Sequence, residues 1–166
     1  IMLGNSIPGL VYGFNTEVGY KGFRVGLDFQ GQTGVDIYNG KQAVRFSLLN
    51  YETRFLDHWT PSNPSNENFR AVSGGTNYTP SNYFIEDGSY LRLRTVTLSY
   101  SFQQAVLNSV GAQSLKVYVR GTNLFTKTQF SGYSPDLGAS SALDGVIDRG
   151  VYPITKVYSV GLNLTF

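Results

Sequence analysis

The stretch Tyr158-Ser-Val-Gly-Leu-Asn-Leu-Thr-Phe166 decides the fold class. Alternate side chains of a β-strand point to opposite faces, so one face of this segment is apolar and the other is small or polar. A transmembrane β-barrel needs this arrangement, with lipid outside, water inside and aromatic residues at the membrane interface. We therefore expect a barrel-closing strand whose lipid face consists of Tyr158, Val160, Leu162, Leu164 and Phe166.

A half-buried edge strand of a soluble β-sandwich would also alternate. Soluble domains usually end in frayed polar residues, however, and the pattern recurs upstream. Five segments are long enough to cross an outer membrane, which takes about 9 to 11 residues each. They lie near 10–19, 22–32, 90–102, 114–124 and 152–166.

The alternation also assigns a polar face to these segments, which we expect to line the barrel lumen. The first two segments are joined by Tyr20-Lys21-Gly22, a hairpin-sized link in which Gly can take a positive φ. The candidate lumen-facing residues are Asn15, Glu17, Arg24, Asp28, Gln30, Lys116, Tyr118 and Arg120.

The third segment breaks its own alternation at Arg92 and Arg94, which continue the apolar face of Val96 and Leu98. A β-bulge near Thr95 would restore the pattern by a one-residue shift in register. The alternative, which we favour, is a strand longer than the membrane is thick. Both arginines would then lie at the outer headgroup level, where guanidinium groups pair with lipid phosphates.

Composition excludes several classes of protein. No run of about 18 apolar residues exists, so transmembrane helices are not expected. The net charge is +2 and the 13 basic residues are scattered, unlike the basic patch of a nucleic-acid-binding protein. The chain has 0 cysteines, which excludes disulfides, thiol catalysis and cysteine-type zinc sites within it.

Connector lengths predict the orientation, because outer-membrane barrels have short periplasmic turns and long external loops. Loops 33–89 and 125–151 would be external, and the end at Phe166 would be periplasmic. Aromatic rings among amides and hydroxyls suit sugars or protein surfaces, although we expect most of these rings to form the loops' own small core. The candidate contacts for a ligand or a lid are His58, Trp59, Phe69, Tyr78, Tyr83 and Tyr133.

Catalysis finds little support in these residues. His58 is the one histidine, and an extended backbone would point the adjacent Glu86 and Asp87 apart, so no catalytic residues are expected. No cofactor is expected either, although Asp136, Asp144 and Asp148 in the last loop could gather calcium.

Five strands do not close a membrane barrel, since single-chain barrels begin at about 8 strands and every edge in lipid must be paired. The residues Ile-Met-Leu-Gly-Asn-Ser at the start also lack the features of a signal peptide. We expect the chain to be the C-terminal portion of a larger barrel. An oligomeric barrel of several short chains is the other solution.

The order of several short motifs resembles the C-terminal end of SusC/RagA-type TonB-dependent transporters. The motifs are Asp87-Gly-Ser-Tyr-Leu-Arg-Leu-Arg-Thr-Val-Thr-Leu-Ser-Tyr100, Val117-Tyr-Val-Arg-Gly-Thr-Asn-Leu-Phe125, Gly132-Tyr-Ser-Pro-Asp136, Asp148-Arg-Gly-Val-Tyr-Pro153 and Gly161-Leu-Asn-Leu-Thr-Phe166. The chain departs from the family's pattern at Ser134, Thr155 and Lys156. These departures bear on the identity of the substrate more than on the family assignment.

The resemblance implies an all-β fold, namely a barrel of about 22 strands with an N-terminal plug outside this chain. It further implies TonB as the energy-coupling partner, a SusD-like surface lipoprotein as lid, and oligosaccharides or peptides as substrates in a bacterial outer membrane. Two alternatives from other classes remain at this point. One is another outer-membrane barrel, such as a siderophore receptor or a porin, and the other is a soluble carbohydrate-binding β-sandwich.

Overall fold

A computed structural model describes residues 4–43, 53–72, 75–109, 111–137 and 146–166. The strands are β1 (Leu10–Tyr20), β2 (Phe23–Thr33), β3 (Asp36–Tyr38), β4 (Ile85–Asp87), β5 (Tyr90–Ser101), β6 (Ser114–Thr128) and β7 (Val157–Thr165). Two short helices, α1 (Gly40–Ala43) and α2 (Gln104–Asn108), and three 3-10 turns complete the described elements. No helix in these ranges is long and apolar enough to cross a membrane.

Five long strands form one antiparallel sheet in the order β1-β2-β5-β6-β7, which confirms the predicted all-β class. The strand bounds differ from the sequence prediction mainly in the last two strands. β6 continues to Thr128, and β7 begins only at Val157. A second, two-stranded sheet pairs β3 with β4 in the long connection between β2 and β5.

The predicted hairpin between β1 and β2 is confirmed, but its turn has two residues and not three, because Tyr20 pairs with Phe23. Lys21 and Gly22 both have positive φ, of 45° and 88°, which is the geometry of a type I′ turn. A Cβ at Gly22 would lie 2.8 Å from the Ser101 carbonyl oxygen, so the residue also permits a close approach of β5. We call this end of the sheet the turn end and the opposite end the loop end.

The sheet has one apolar and one polar face, and register assigns each residue to its face. Phe14, Phe29 and Leu93 share the apolar face with Val119 and Leu162. This face is not covered by other parts of the described chain, since Val160 is 83% and Leu162 is 65% exposed. The five predicted residues Tyr158, Val160, Leu162, Leu164 and Phe166 are all exposed.

The predicted overhang of the third strand is wrong, because β5 contains the bulge that was the other interpretation. Asp28 pairs with Thr95 and Phe29 with Leu93, so Arg94 is an extra residue without a partner in β2. The shift brings Leu91 and Leu93 onto the apolar face and moves Arg92 onto the polar face. Arg92 is 3% exposed and therefore does not reach a lipid headgroup.

The buried core lies beyond the sheet, in its loops. Val35, Ile37 and Phe84 are each no more than 2% exposed. They belong to the connection between β2 and β5, residues 34–89, which we call loop A. Residues 129–156, between β6 and β7, are loop B, and the described parts of the two loops together are the loop unit.

Candidate functional site

The polar face of the sheet forms a shallow hollow centred on Gly26. A Cβ on Gly26 would meet no atom within 4 Å, so the backbone there is open. Arg24 and Glu17 border the hollow and form an exposed ion pair of 2.9 Å, which contributes little to stability because water screens it. Lys116 and Arg120 border it from the β6 side.

The register places all eight lumen-facing candidates on this polar face. The Tyr118 ring lies next to Gly161, whose missing side chain leaves room for it. The Arg120 guanidinium lies 5.6 Å from the centre of the Tyr118 ring, and its Nε donates to Thr97 Oγ1. The face is therefore polar and mixed in charge, as a hydrated interior requires. The set is Asn15, Glu17, Arg24, Asp28, Gln30, Lys116, Tyr118 and Arg120.

Backbone hydrogen bonds join loop B to loop A at the loop end. Tyr38 N–H donates to Val146 O at 2.8 Å, and Asp148 N–H donates back to Tyr38 O at 2.9 Å. Lys41 N–H also donates to Asp148 O at 2.9 Å. Residues 146–148 thus extend the small β3–β4 sheet from the other side of β3, in a parallel bridge.

The carboxylate of Glu86 is the centre of a polar network between the loops. Its Oε1 accepts hydrogen bonds from Asn39 Nδ2 at 2.7 Å, Ser131 Oγ at 2.8 Å and Gln42 Nε2 at 3.4 Å. Its Oε2 accepts one from Ser131 N–H at 2.7 Å. Asn39 is fully buried and Gln42 nearly so, which makes these bonds costly to break. Sequence reasoning missed Asn39 and Gln42, which no local pattern distinguishes from other loop amides.

The adjacent acids Glu86 and Asp87 point apart, as expected for an extended backbone. Asp87 Oδ1 accepts a hydrogen bond from Ser89 N–H, while Glu86 lies in the network between the loops. The two carboxylates therefore do not act on one site.

Arg92 connects loop B to the sheet. Its Nη1 contacts Asp136 Oδ2 at 2.9 Å, its Nη2 donates to Ser134 Oγ at 3.3 Å, and its Nε donates to Thr126 Oγ1 at 3.0 Å. The guanidinium therefore pairs with a protein carboxylate in the position where the sequence suggested a lipid phosphate.

The loop-contact candidates divide into packed and exposed rings. Phe69, Tyr83 and Phe84 pack together with ring centres 4.1 to 6.4 Å apart, and Tyr83 Oη donates to Glu67 O. Trp59, Tyr78 and His58 are half-buried, and His58 Nδ1 lies 3.0 Å from Phe55 O. Tyr133 differs, since it is 71% exposed and lies 5.0 Å beneath the Lys41 ammonium.

Comparison with known proteins identifies the chain's relatives. No protein-family model matches it. It is 32% identical over 176 residues to TonB-dependent receptor P26 of Formosa agariphila, an alignment that covers 100% of this chain and 18% of the relative. It is also 32% identical over 99 residues to TonB-dependent receptor SusC of Bacteroides thetaiotaomicron, covering 57% of this chain and 9% of SusC.

Solved structures show the same fold. The structure of the RagAB peptide transporter superposes with a TM-score of 0.83 at 24% identity, over 98% of this chain and 18% of that chain. The RagAB peptide importer in its open-open state gives a TM-score of 0.80 at 22% identity, with the same coverage of both chains.

The chain belongs to the SusC/RagA-type TonB-dependent receptors. Its five-stranded sheet is a segment of their outer-membrane β-barrel, and the chain spans about a fifth of the length of the relatives it matches. The family resemblance drawn from the ordered motifs is confirmed.

Calcium binding by this receptor segment stays a prediction. Asp148 Oδ1 accepts hydrogen bonds from Gly150 N–H and Val151 N–H, and its Oδ2 lies 4.0 Å from Lys41 Nζ. Asp136 contacts Arg92, and Asp144 lies outside the described residues. Among the residues that the structure describes, no three acidic or histidine side chains gather as a metal site.

Proposed function

We propose that the full-length protein imports oligosaccharides or other large nutrients across a bacterial outer membrane. A SusD-like surface lipoprotein would act with it, and TonB would supply energy through a part outside this chain. Family membership is the observation that carries the proposal, supported by the likeness to SusC and by the fold shared with the RagAB transporter. The relatives are named as receptors, and we propose no catalytic role for this chain.

In this proposal the chain supplies the last five strands of a barrel of about 22 strands. Its apolar face would contact lipid, with Tyr158, Val160, Leu162, Leu164 and Phe166 on the closing strand. The polar face would line the lumen and contact the plug. The hollow at Gly26 supports this role, because its mixed charges and open backbone offer space and hydrogen-bonding groups to a polar partner.

The loop unit would lie outside the cell, and the end at Phe166 would be periplasmic. The length of loops A and B relative to the two-residue turn at Lys21 and Gly22 supports this orientation. The orientation is testable because the segment has 0 cysteines. A membrane-impermeant maleimide should label Tyr133→Cys on intact cells and should label Lys21→Cys only after the outer membrane is opened, in a background without other accessible cysteines.

Tyr133 is the ring of the loop unit that we propose to contact substrate or the lid lipoprotein. Aromatic rings stack on sugar faces and on apolar peptide side chains, and the nearby Lys41 ammonium adds a hydrogen-bond donor beside the ring. The packed rings Phe69 and Tyr83 would support the loops instead. His58, Trp59 and Tyr78 keep part of their surface available for contact.

A deletion strain tests the transport proposal. We expect loss of growth on at least one oligosaccharide or on a peptide digest offered as carbon source, with recovery by the wild-type gene and reduced uptake by Tyr133→Ala. Equal growth of the deletion and parent strains on every oligosaccharide and peptide source would contradict nutrient import.

A further inference from the structure

The hollow at Gly26 carries more positive than negative charge. Three cations and two acids line it, namely Arg24, Lys116, Arg120, Glu17 and Asp28. Arg24 and Glu17 neutralise each other in their ion pair of 2.9 Å. Lys116 and Arg120 form no ion pair with any residue that the structure describes. The β6 side of the hollow therefore suits an anionic group.

Arg120 is held in a position from which it can bind such a group. Its Nε donates to Thr97 Oγ1 at 3.3 Å, and its guanidinium carbon lies 5.6 Å from the centre of the Tyr118 ring. Neither Nη atom has a hydrogen-bond partner within the described ranges. The two Nη atoms form an end of the guanidinium that can bind both oxygens of a carboxylate through parallel hydrogen bonds. Arg120 is thus preorganised to bind a carboxylate.

The hollow also has room for a side chain beside Arg120. Register puts Arg120 in one row with Thr97, Gly26 and Glu17. The volume of the hollow is about 340 Å³, several times the roughly 30 Å³ that one molecule occupies in liquid water. The end of an acidic side chain would fill only part of this space, so the backbone at Gly26 would stay open.

The height of the hollow favours another part of the same protein over a substrate. Gly26 is close to the turn end of β2, so the hollow lies in the half of the sheet away from the loop unit. In the proposed orientation this is the periplasmic half of the wall. Most of the length of the relatives lies outside the segment that this chain matches. A cation that faces a lumen filled by protein is costly unless a counter-charge lies beside it.

We propose that Arg120 binds the carboxylate of an aspartate or glutamate of the plug, with Lys116 adding positive charge on the same face. Nη1 and Nη2 of Arg120 donate to the two carboxylate oxygens, and this pair holds the plug against the wall formed by β5 and β6. Asp28 lies two residues nearer the loop end than Gly26, so its repulsion directs the carboxylate toward the turn-end side of the hollow. The inference rests on the proposed role of the polar face as the lumen wall.

Zero-length cross-linking of the full-length protein in detergent tests the pair. A carbodiimide joins a lysine amine to a carboxyl group that it contacts, so the Arg120→Lys variant makes the pair open to cross-linking. We expect mass spectrometry to find the peptide with position 120 joined to an acidic peptide of the plug. Lys127 is the internal control, because its pairing with Leu91 places it on the apolar face of the same strand, and it should form no link to the plug.

Hydrogen exchange of the full-length protein gives a second measurement. Arg120→Gln should speed up exchange about tenfold in the plug peptide that carries the acid, because the carboxylate loses a charged donor. Arg120→Lys keeps the charge and loses the two parallel hydrogen bonds, so its effect should be smaller. Lys127→Gln removes a cation from the opposite face of β6 and should leave exchange in the plug unchanged.

The outcomes separate this pair from the transport proposal. Cross-linking of position 120 to Glu17 or Asp28 alone would overturn the pair, and so would unchanged plug exchange in Arg120→Gln. Weaker binding of an anionic oligosaccharide by Arg120→Gln, with plug exchange unchanged, would assign the hollow to substrate and overturn the pair as well. None of these results contradicts nutrient import, which depends on the growth of the deletion strain.

Discussion

The five-stranded sheet and the loop unit are stabilised in opposite ways. On the sheet, whole rows of apolar side chains such as Val160 and Leu162 have no cover from the described chain. In the loop unit, Ile37 and Phe84 are 1% exposed, and Asn39 is fully buried. The sheet therefore depends on its surroundings, lipid on one face and the rest of the barrel at its edges, whereas the loop unit folds on a core of its own.

Because of this difference, we expect substitutions in one region to leave the stability of the other region unchanged. A substitution in the loop core should loosen both loops and leave the barrel assembled, because few side chains connect the two regions. Arg92 is the main exception, since it belongs to β5 and binds Asp136 and Ser134 of loop B. The following predictions test this separation, beginning with the largest expected effect.

Phe84→Ala should destabilise the loop unit by about 3 to 5 kcal/mol, because it leaves a cavity where a fully buried ring packed. Proteolysis of loops A and B in the full-length protein should become much faster. The heat-dependent gel shift of the folded barrel should be unchanged. Phe125→Ala is the matched control, since this ring is 61% exposed on the apolar face, and proteolysis of the loops should not change. Loss of the barrel itself in Phe84→Ala would show that the two regions fold together.

Glu86→Ala should cost about 1 to 3 kcal/mol in the loop unit, because Asn39, Gln42 and Ser131 lose the acceptor of their hydrogen bonds. Hydrogen exchange measured by mass spectrometry should speed up in both loops, since Glu86 lies between them. Asp87→Ala should affect only the Ser89 amide. Faster exchange confined to loop A would contradict a shared network.

Arg92→Gln and Arg24→Gln compare an ion pair whose arginine is buried with a pair whose two side chains are exposed. Arg92→Gln should loosen loop B around Ser134 and Asp136, by about 1 to 3 kcal/mol, because Asp136 and Ser134 lose a charged donor. Arg24→Gln should change stability by no more than about 1 kcal/mol, because its partner Glu17 is well solvated. Equal effects of the two substitutions on exchange in residues 129–137 would contradict the assigned role of Arg92.

Gly26→Ala should have the smallest effect, a gain of roughly 0.5 to 1 kcal/mol, because it restricts the unfolded chain and its Cβ meets no atom. Gly161→Ala should instead destabilise the sheet, since its Cβ would lie 2.5 Å from the Tyr118 ring. Denaturant unfolding of the barrel in detergent measures the change in the free energy of unfolding for both variants. A loss of stability in Gly26→Ala would mean that another part of the barrel already fills the hollow.

Much of the sheet was predictable because period-2 alternation depends only on which side chains face lipid and which face water. The hairpin at Lys21 and Gly22 was predictable for a similar reason, since the turn is local. The bulge at Arg94 was harder. The break in alternation showed that the strand was irregular. The overhanging strand that we favoured was wrong, because only pairing with β2 and β6 distinguishes a bulge from an overhang.

The candidate site was predictable in part. The alternation along each strand was enough to assign the polar face. Each of the eight candidates, from Asn15 on β1 to Arg120 on β6, lies on the face that its position in the strand predicts. The loop contacts were not predictable, since Glu86 and Ser131 are 45 residues apart and meet only when the loops pack. Phe69 and Tyr83 packed together with Phe84, His58, Trp59 and Tyr78 were half-buried, and Tyr133 was the most exposed of the six candidates.

The sequence by itself determined the fold class, the five long strands and their two faces. Successive side chains of a strand point to opposite faces, so two different environments produce an alternating sequence. Only the tertiary structure decided the bulge, the burial of Arg92 and the joining of loops A and B through Glu86 and Tyr38. The physical reason is that these contacts depend on the register and distance of chain segments far apart in sequence, which no local pattern specifies.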